Sequence, residues 1–162
     1  MNPRAVFGLS TLMSLVSSIV LAVLFVWPWV GTTSSEHALI CLVAPHMLLR
    51  FLGLSFLAPG VVATALPKAW AVPAAYGDFF AGMLAMIATV ALARTVPWAG
   101  VAVWVFNVWG AADLLFAFYK GARVNLDPGS LGAAYYIVTS IVPPLLVSHA
   151  LIFGVLLRLG VA

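Results

Sequence analysis

The sequence predicts an all-α integral membrane protein, folded as a bundle of five transmembrane helices. Two observations lead to this fold class. Of the 162 residues, 65% are hydrophobic and only 7% are charged, whereas about a quarter of the residues in soluble domains are charged. Apolar runs near the roughly 20 residues that a helix needs to cross a bilayer recur along the chain. We expect a single transmembrane domain over residues 1–162, with spans at about 5–27, 37–57, 76–94, 98–119 and 133–158.

The first apolar run is longer than the 7–15 residues of a signal-peptide core, and no small-residue cleavage site follows it. We therefore interpret it as a retained first span. Ser10, Ser14 and Ser17 follow one face of this predicted helix at i, i+4 and i+7. Small polar residues at such spacing let helices approach closely, so this face is predicted to pack against another span.

The second span carries the most informative polar residues. Ser34 or Ser35 is placed to cap its first turn. Pro45 leaves a carbonyl one turn back without its donor, which predicts a kink. His46 and Arg50 are four residues apart, so they share one helix face. An ionisable group at membrane depth costs about 2.5–3.5 kcal/mol or more, and this face must find polar partners on other spans.

The segment 58–75 is rich in proline and glycine but remains apolar. Proline and glycine disfavour a regular helix, so we expect an interfacial or re-entrant loop here. Span three then begins near Tyr76 and carries Asp78. Span four carries Asn107 and Asp113.

The fifth predicted span contains the pair Pro143-Pro144, which is expected to interrupt the helix, and His149 follows shortly afterwards. Five spans place the two termini on opposite sides of the membrane. Basic residues favour the cytoplasmic side, and with a cytoplasmic N-terminus four of six fall there: Arg4, Lys68, Lys120 and Arg123, against Arg94 and Arg158. We predict that orientation.

Counting a rise of 1.5 Å per residue from the outer end of each span sorts the polar residues into two levels. The upper level lies roughly 14 Å deep and the lower level roughly 20–24 Å deep. The upper level contains His46, Asn107 and His149, and the lower level contains Arg50, Asp78 and Asp113.

Each level has more than one interpretation. A guanidinium can bind a carboxylate on each side, so the lower level is either an ion-pair clamp between spans or an anion-binding or proton-relay site. The two histidines are hydrogen-bonded core residues, axial ligands of a haem b iron, or walls of a substrate or quinone pocket. In the haem alternative His46 and His149 are the candidate metal ligands. In either the haem site or the pocket, Asn107 would supply a further polar group.

Other chemistry finds little support in the sequence. We find no nucleophile–base–orienter set, no glycine-rich phosphate loop and no HExxH zinc motif, so whether the protein is an enzyme stays open. The net charge of +3 is small and scattered, which argues against a nucleic-acid partner. The single cysteine, Cys41, cannot form an intrachain disulfide.

The stretch from Arg50 to Gly60 (RFLGLSFLAPG), with Leu66-Pro67, Ala75 and the region Gly82–Leu84, resembles the first two helices of the DoxX-like family of small bacterial membrane proteins. The resemblance covers about residues 50–92. It implies a bacterial cytoplasmic membrane location, and some members of that family take part in quinone-linked or thiol redox chemistry.

Three functions are compatible with these features. The first is a haem- or quinone-linked redox protein that uses His46 and His149, with Arg50 balancing a propionate or other charge. The second is a binding or transport protein for a small molecule, in which Arg50 is the anchor and Asp78 and Asp113 are proton-coupled groups. The third is an accessory subunit of a larger membrane complex. The expected partners are the lipid bilayer and either other membrane subunits or further copies of the chain.

Overall fold

A computed structural model describes residues 2–158, and its long elements are all helices. Five of them are long and apolar enough to cross a membrane, which confirms the predicted helical class and the number of candidate spans. They are α1 (Pro3–Thr32), α2 (Ser35–Leu57), α3 (Lys68–Ala93), α4 (Ala99–Arg123) and α5 (Ile137–Arg158). A short 3₁₀ segment, Pro128–Ala134, lies between α4 and α5.

A π-helical turn precedes the prolines in both α1 and α5, and each helix continues beyond them. The first, Ala22–Val26, comes just before Pro28 in α1, and the second, Ile137–Ile141, comes just before Pro143-Pro144 in α5. Proline has no N–H to donate one turn back, and a π turn accommodates this by shifting the bonding register to five residues. The predicted end of span one near residue 27 and the predicted interruption of span five are therefore wrong, because both helices continue.

Helix α2 changes character along its length. It is α-helical from Ser35 to Val43, turns at Ala44-Pro45, and then continues as the 3₁₀ segment Arg50–Leu57 after one further α turn. The Ser34 hydroxyl accepts a hydrogen bond from the His37 N–H at 3.3 Å, so the predicted cap is confirmed. Arg50 is the first residue of the 3₁₀ segment.

Helix α3 begins at Lys68, eight residues before the predicted start near Tyr76. Pro73 lies inside it. Because the first four N–H groups of any helix lack intrahelical acceptors, a proline in the second turn removes only one bond, the one that residue 73 would donate to Ala69. The proline content of 68–75 was therefore a misleading signal, and these residues are helix rather than a re-entrant loop.

The remaining loop, residues 58–67, is fastened to the segment between α4 and α5. The Ala63 N–H donates to the Ser130 carbonyl at 3.0 Å, and the Ala133 N–H donates to the Val61 carbonyl at 2.9 Å. Gly132 has a φ of 54°, and its Cα lies so close to the Val61 carbonyl that a side chain would collide with it. These contacts close one end of the bundle.

Two larger apolar clusters of buried side chains lie at the two ends of the bundle. One, including Val43, Val103 and Ile152, lies toward the end formed by the start of α2 and α4. The other, including Trp70 and Leu131, lies at the opposite end. A smaller cluster is formed by Leu114, Val142 and Leu145 of α4 and α5. Five of the buried polar side chains come between the two larger clusters along the helices: His46, Arg50, Asp78, Asn107 and His149. Helix α1 packs on α5 and is largely exposed.

Candidate functional site: a buried arginine–carboxylate–histidine cluster

Arg50 is the centre of the polar cluster, and its side chain is fully buried. One guanidinium nitrogen, Nη1, donates to Asp78 Oδ1 at 2.5 Å and to Asp113 Oδ2 at 3.0 Å. The other, Nη2, donates to the Gly110 carbonyl at 2.6 Å and contacts His149 Nε2 at 3.0 Å. Arg50 on α2 therefore connects α3, α4 and α5, and both predicted arginine–carboxylate contacts are present.

The Arg50–His149 contact joins the two predicted polar levels into one network. All six residues singled out from the sequence belong to it: His46, Arg50, Asp78, Asn107, Asp113 and His149. The depth estimate placed these residues at two heights about one to two turns apart. The length of the arginine side chain bridges this difference.

Three glycines make room for this cluster, and sequence analysis missed them. A Cβ atom on Gly110 would lie 2.7 Å from His149 Nε2 and 3.0 Å from Arg50 Nη2. Gly53 and Gly77 likewise face the cluster, each against a carboxylate. Gly77 and Gly110 lie in regular α-helix and Gly53 in the 3₁₀ segment of α2, and a glycine inside a helix costs roughly 0.5–1 kcal/mol relative to alanine. A glycine in an apolar span within four residues of an ionisable group was the available signal.

The protonation of His149 follows from its partners. Arginine is a donor only, so His149 Nε2 accepts the Arg50 bond and the proton of the imidazole resides on Nδ1. That N–H donates to Asn107 Oδ1 at 2.6 Å, and the Asn107 amide in turn donates to the His149 carbonyl at 3.1 Å. Both nitrogens of a neutral His149 are thus engaged.

His46 is also fully buried and packs directly against His149. The Ser148 hydroxyl donates to the Leu145 carbonyl at 2.8 Å, so it accepts from His46 Nε2–H at 2.6 Å. The His46 and His149 ring centroids are 4.5 Å apart, and Phe106 packs on both rings. Ser148 was not identified from the sequence, although its position next to His149 was a signal.

These residues do not fit a bis-histidine haem in this arrangement. Axial histidines hold an iron and its porphyrin plane between them, whereas here the two imidazoles touch. His149 also has no free nitrogen, because one accepts from Arg50 and the other carries a proton. Among residues 2–158, no group of three or more His, Cys, Asp or Glu side chains is arranged to hold a metal ion.

The aromatic side chains that pack in pairs are spread through the bundle. Trp104 packs with Phe153, and Phe56 packs edge-on against Trp70 with ring centroids 4.9 Å apart. They belong to different apolar clusters. Their role in this fold is helix packing.

A cavity of about 360 Å³ reaches the cluster from one end of the bundle, and all five helices contribute to its wall. Asp78 and Asp113 line it, whereas Arg50 does not. The exposed residues Arg4 and Asn125 also line it, and they lie at the end of the bundle where α1 begins and α4 ends. The cavity therefore leads from the surface to the two carboxylates.

One oxygen of each carboxylate has no hydrogen-bond donor among the described residues and packs against a glycine, Asp78 Oδ2 against Gly53 and Asp113 Oδ1 against Gly77. Arg50 occupies Asp78 Oδ1 and Asp113 Oδ2, and no donor to the other two oxygens is present within residues 2–158. The two side chains are only 9% and 10% exposed. With His149 neutral, two ionised carboxylates against one guanidinium leave one uncompensated negative charge in an environment of low dielectric.

The fold and this cluster define a class: a small, apolar five-helix protein with a buried charged centre that opens to a cavity. The comparisons with known proteins then place the chain. It belongs to the family described as "Domain of unknown function (DUF8737)", whose sequence model matches residues 6–157. No curated protein and no solved structure shows a significant match to it.

Proposed function

We propose that the protein is a multi-pass membrane protein that binds a small molecule in the cavity and exchanges it for a proton on the carboxylate pair. The observation that carries this proposal is the cavity ending on Asp78 and Asp113, which share one guanidinium and each keep one oxygen with no donor among residues 2–158. Intramembrane acids that face a cavity mark ion and proton pathways.

The cluster favours proton exchange because its charge does not balance. A net charge of −1 away from water is costly, and it is neutralised either by one proton or by a positively charged ligand group. When such a ligand enters, the proton on a carboxyl oxygen leaves to water through the cavity. When the ligand leaves, a proton returns to the same oxygen.

Arg50 serves this function as a positioning residue. Both terminal nitrogens of its guanidinium bond to protein groups, and its side chain is fully buried. Because Arg50 does not itself line the cavity, we propose that it holds the two acids at the cavity wall, in place of the ligand-anchoring role considered for it from the sequence. Its guanidinium also lies between the two carboxylates and the imidazole of His149, on which His46 packs.

The orientation follows the basic residues. The end of the bundle that the cavity reaches carries Arg4, Lys68, Lys120 and Arg123. Basic loops favour the cytoplasm, so we propose a cytoplasmic N-terminus in a bacterial membrane and a cavity that opens on the cytoplasmic side. Quinone-linked redox chemistry and a role as an accessory subunit remain predictions from the sequence, and no contact in the structure favours either of them.

Infrared spectroscopy of the purified protein across a pH titration tests the proton exchange. We expect a protonated-carboxyl band that disappears as the pH rises and that is lost in Asp113→Asn or Asp78→Asn. Asp127→Asn removes an exposed carboxylate in the loop before α5 and is the matched control. A spectrum of the cluster that does not change between about pH 4 and pH 10 would refute the proposal.

A further inference from the structure

We infer that the ligand of this cavity is an organic cation with a compact apolar body. This inference rests on the proposed function, because it names the ligand class of the same site. Three features lead to it: the sign of the charge at the inner wall, the hydrogen-bonding character of the two carboxylate oxygens without a donor, and the aromatic side chains that line the approach.

The charge at the inner wall is negative. The ionisable groups around the carboxylates are Arg50 from α2, Asp78 from α3, Asp113 from α4 and the neutral His149 from α5. Their sum is −1. Arg4 from α1 lines the cavity but is exposed, and water and salt screen its charge. The attraction of a cation to the inner wall therefore exceeds its repulsion by Arg4 at the entrance.

The two carboxylate oxygens without a donor also favour a positively charged ligand. An ionised carboxylate accepts hydrogen bonds and donates none. A ligand that presented its own carboxylate or phosphate here would meet acceptor against acceptor and like charge against like charge. A ligand with an ammonium group meets both requirements, and it does not need to displace Arg50.

The remaining wall suits an apolar body. Phe7, Phe56, Trp70 and Phe118 line the cavity. The Trp70 indole N–H is already used on the Ala117 carbonyl at 2.9 Å, so the ring contributes its apolar surface. Aromatic faces attract cations through the negative charge density of the ring face. A volume of about 360 Å³ accommodates a single-ring ammonium compound.

Benzyltrimethylammonium is the probe of the charge requirement alone, because it carries no N–H to donate and has a neutral counterpart of nearly identical shape, neopentylbenzene, in which carbon replaces nitrogen. Phenylmethanesulfonate is a negatively charged compound with the same ring. We would measure equilibrium binding of radiolabelled benzyltrimethylammonium to the full-length protein in detergent, and competition by the other two compounds. The expected result is saturable binding that neither compound competes for within a tenfold excess.

Two variants connect this binding to the site. Asp113→Asn is expected to weaken it at least tenfold, while Asp127→Asn leaves it unchanged. Should Asp113→Asn fail to fold, Ala117→Phe keeps the whole charge cluster, fills the cavity, and is expected to abolish binding. Because proton and cation compete for one site, lowering the pH is expected to weaken binding by up to tenfold per unit.

The outcomes distinguish this inference from the function on which it rests. Equal competition by neopentylbenzene, binding of the sulfonate, or no binding of the ammonium probe would overturn the cation assignment. If the infrared carboxyl band still titrates in that case, proton binding by the carboxylate pair stands and the assignment of an organic cation as the ligand is wrong. If the infrared carboxyl band also does not change with pH, the cation assignment and the proposed function are both wrong.

Discussion

Replacement of Arg50 by alanine is the perturbation whose effect the structure defines best. It removes a buried cation and leaves Asp78 and Asp113 without their shared donor. Stranding one member of a buried ion pair typically costs about 3–5 kcal/mol. The bonds to the Gly110 carbonyl and to His149 are lost as well, so we expect a loss of folding free energy at the upper end of that range.

The same reasoning predicts a rescue. Arg50→Ala combined with Asp78→Asn and Asp113→Asn contains no buried charge in the cluster, so most of the penalty is expected to disappear. Reversible unfolding in mixed detergent micelles containing increasing sodium dodecyl sulfate, followed by circular dichroism, measures these free energies. Arg94→Ala, which removes an exposed arginine, is the matched control and should change stability by less than about 0.5 kcal/mol.

The refuting result is specific. If the triple variant is no more stable than Arg50→Ala alone, the cost does not come from stranded carboxylates. Arg50 would then act through packing, and the charge count on which the proposed function depends would be wrong.

Three further predictions follow from the fold and the cluster. In a cysteine-free background, single cysteines at Ser34 and Asn125 are expected to react with impermeant maleimides from opposite sides of the membrane, and labelling from one side would contradict the five-span topology. Gly110→Ala should destabilise the protein by about 1–3 kcal/mol through overpacking, whereas Gly8→Ala, with nothing within 4 Å of the new methyl group, should not; equal unfolding midpoints in micelles would contradict the packing. Asn107→Leu should cost about 1–3 kcal/mol by removing the partner of a buried imidazole N–H, and an unchanged midpoint would contradict the assigned tautomer.

The sequence was sufficient for the number of candidate spans and for the composition of the cluster. Span length follows from bilayer thickness, and charges buried at similar depth must find each other because each alone is costly. Arg50, Asp78 and Asp113 could therefore be paired from depth alone.

The depth of a residue along its span does not specify its lateral distance from residues of other helices. The sequence could therefore not predict which side chains of one level touch. His46 and His149 were expected at one level, but only side-chain packing decides whether two rings touch or leave space for a cofactor. The start of α3 was missed because a proline in the second turn costs one hydrogen bond rather than the helix. The cavity depends on how side chains from five helices fill space, and no pattern in one helix predicts it.

Proton release on ligand binding tests the central claim most directly. In a weakly buffered detergent solution with a pH indicator dye, addition of benzyltrimethylammonium near the titration midpoint of the carboxyl band should release up to about one proton per bound cation. The release should vanish when Asp78 and Asp113 are both replaced by asparagine. Binding of the cation at full occupancy without any proton release would contradict the account.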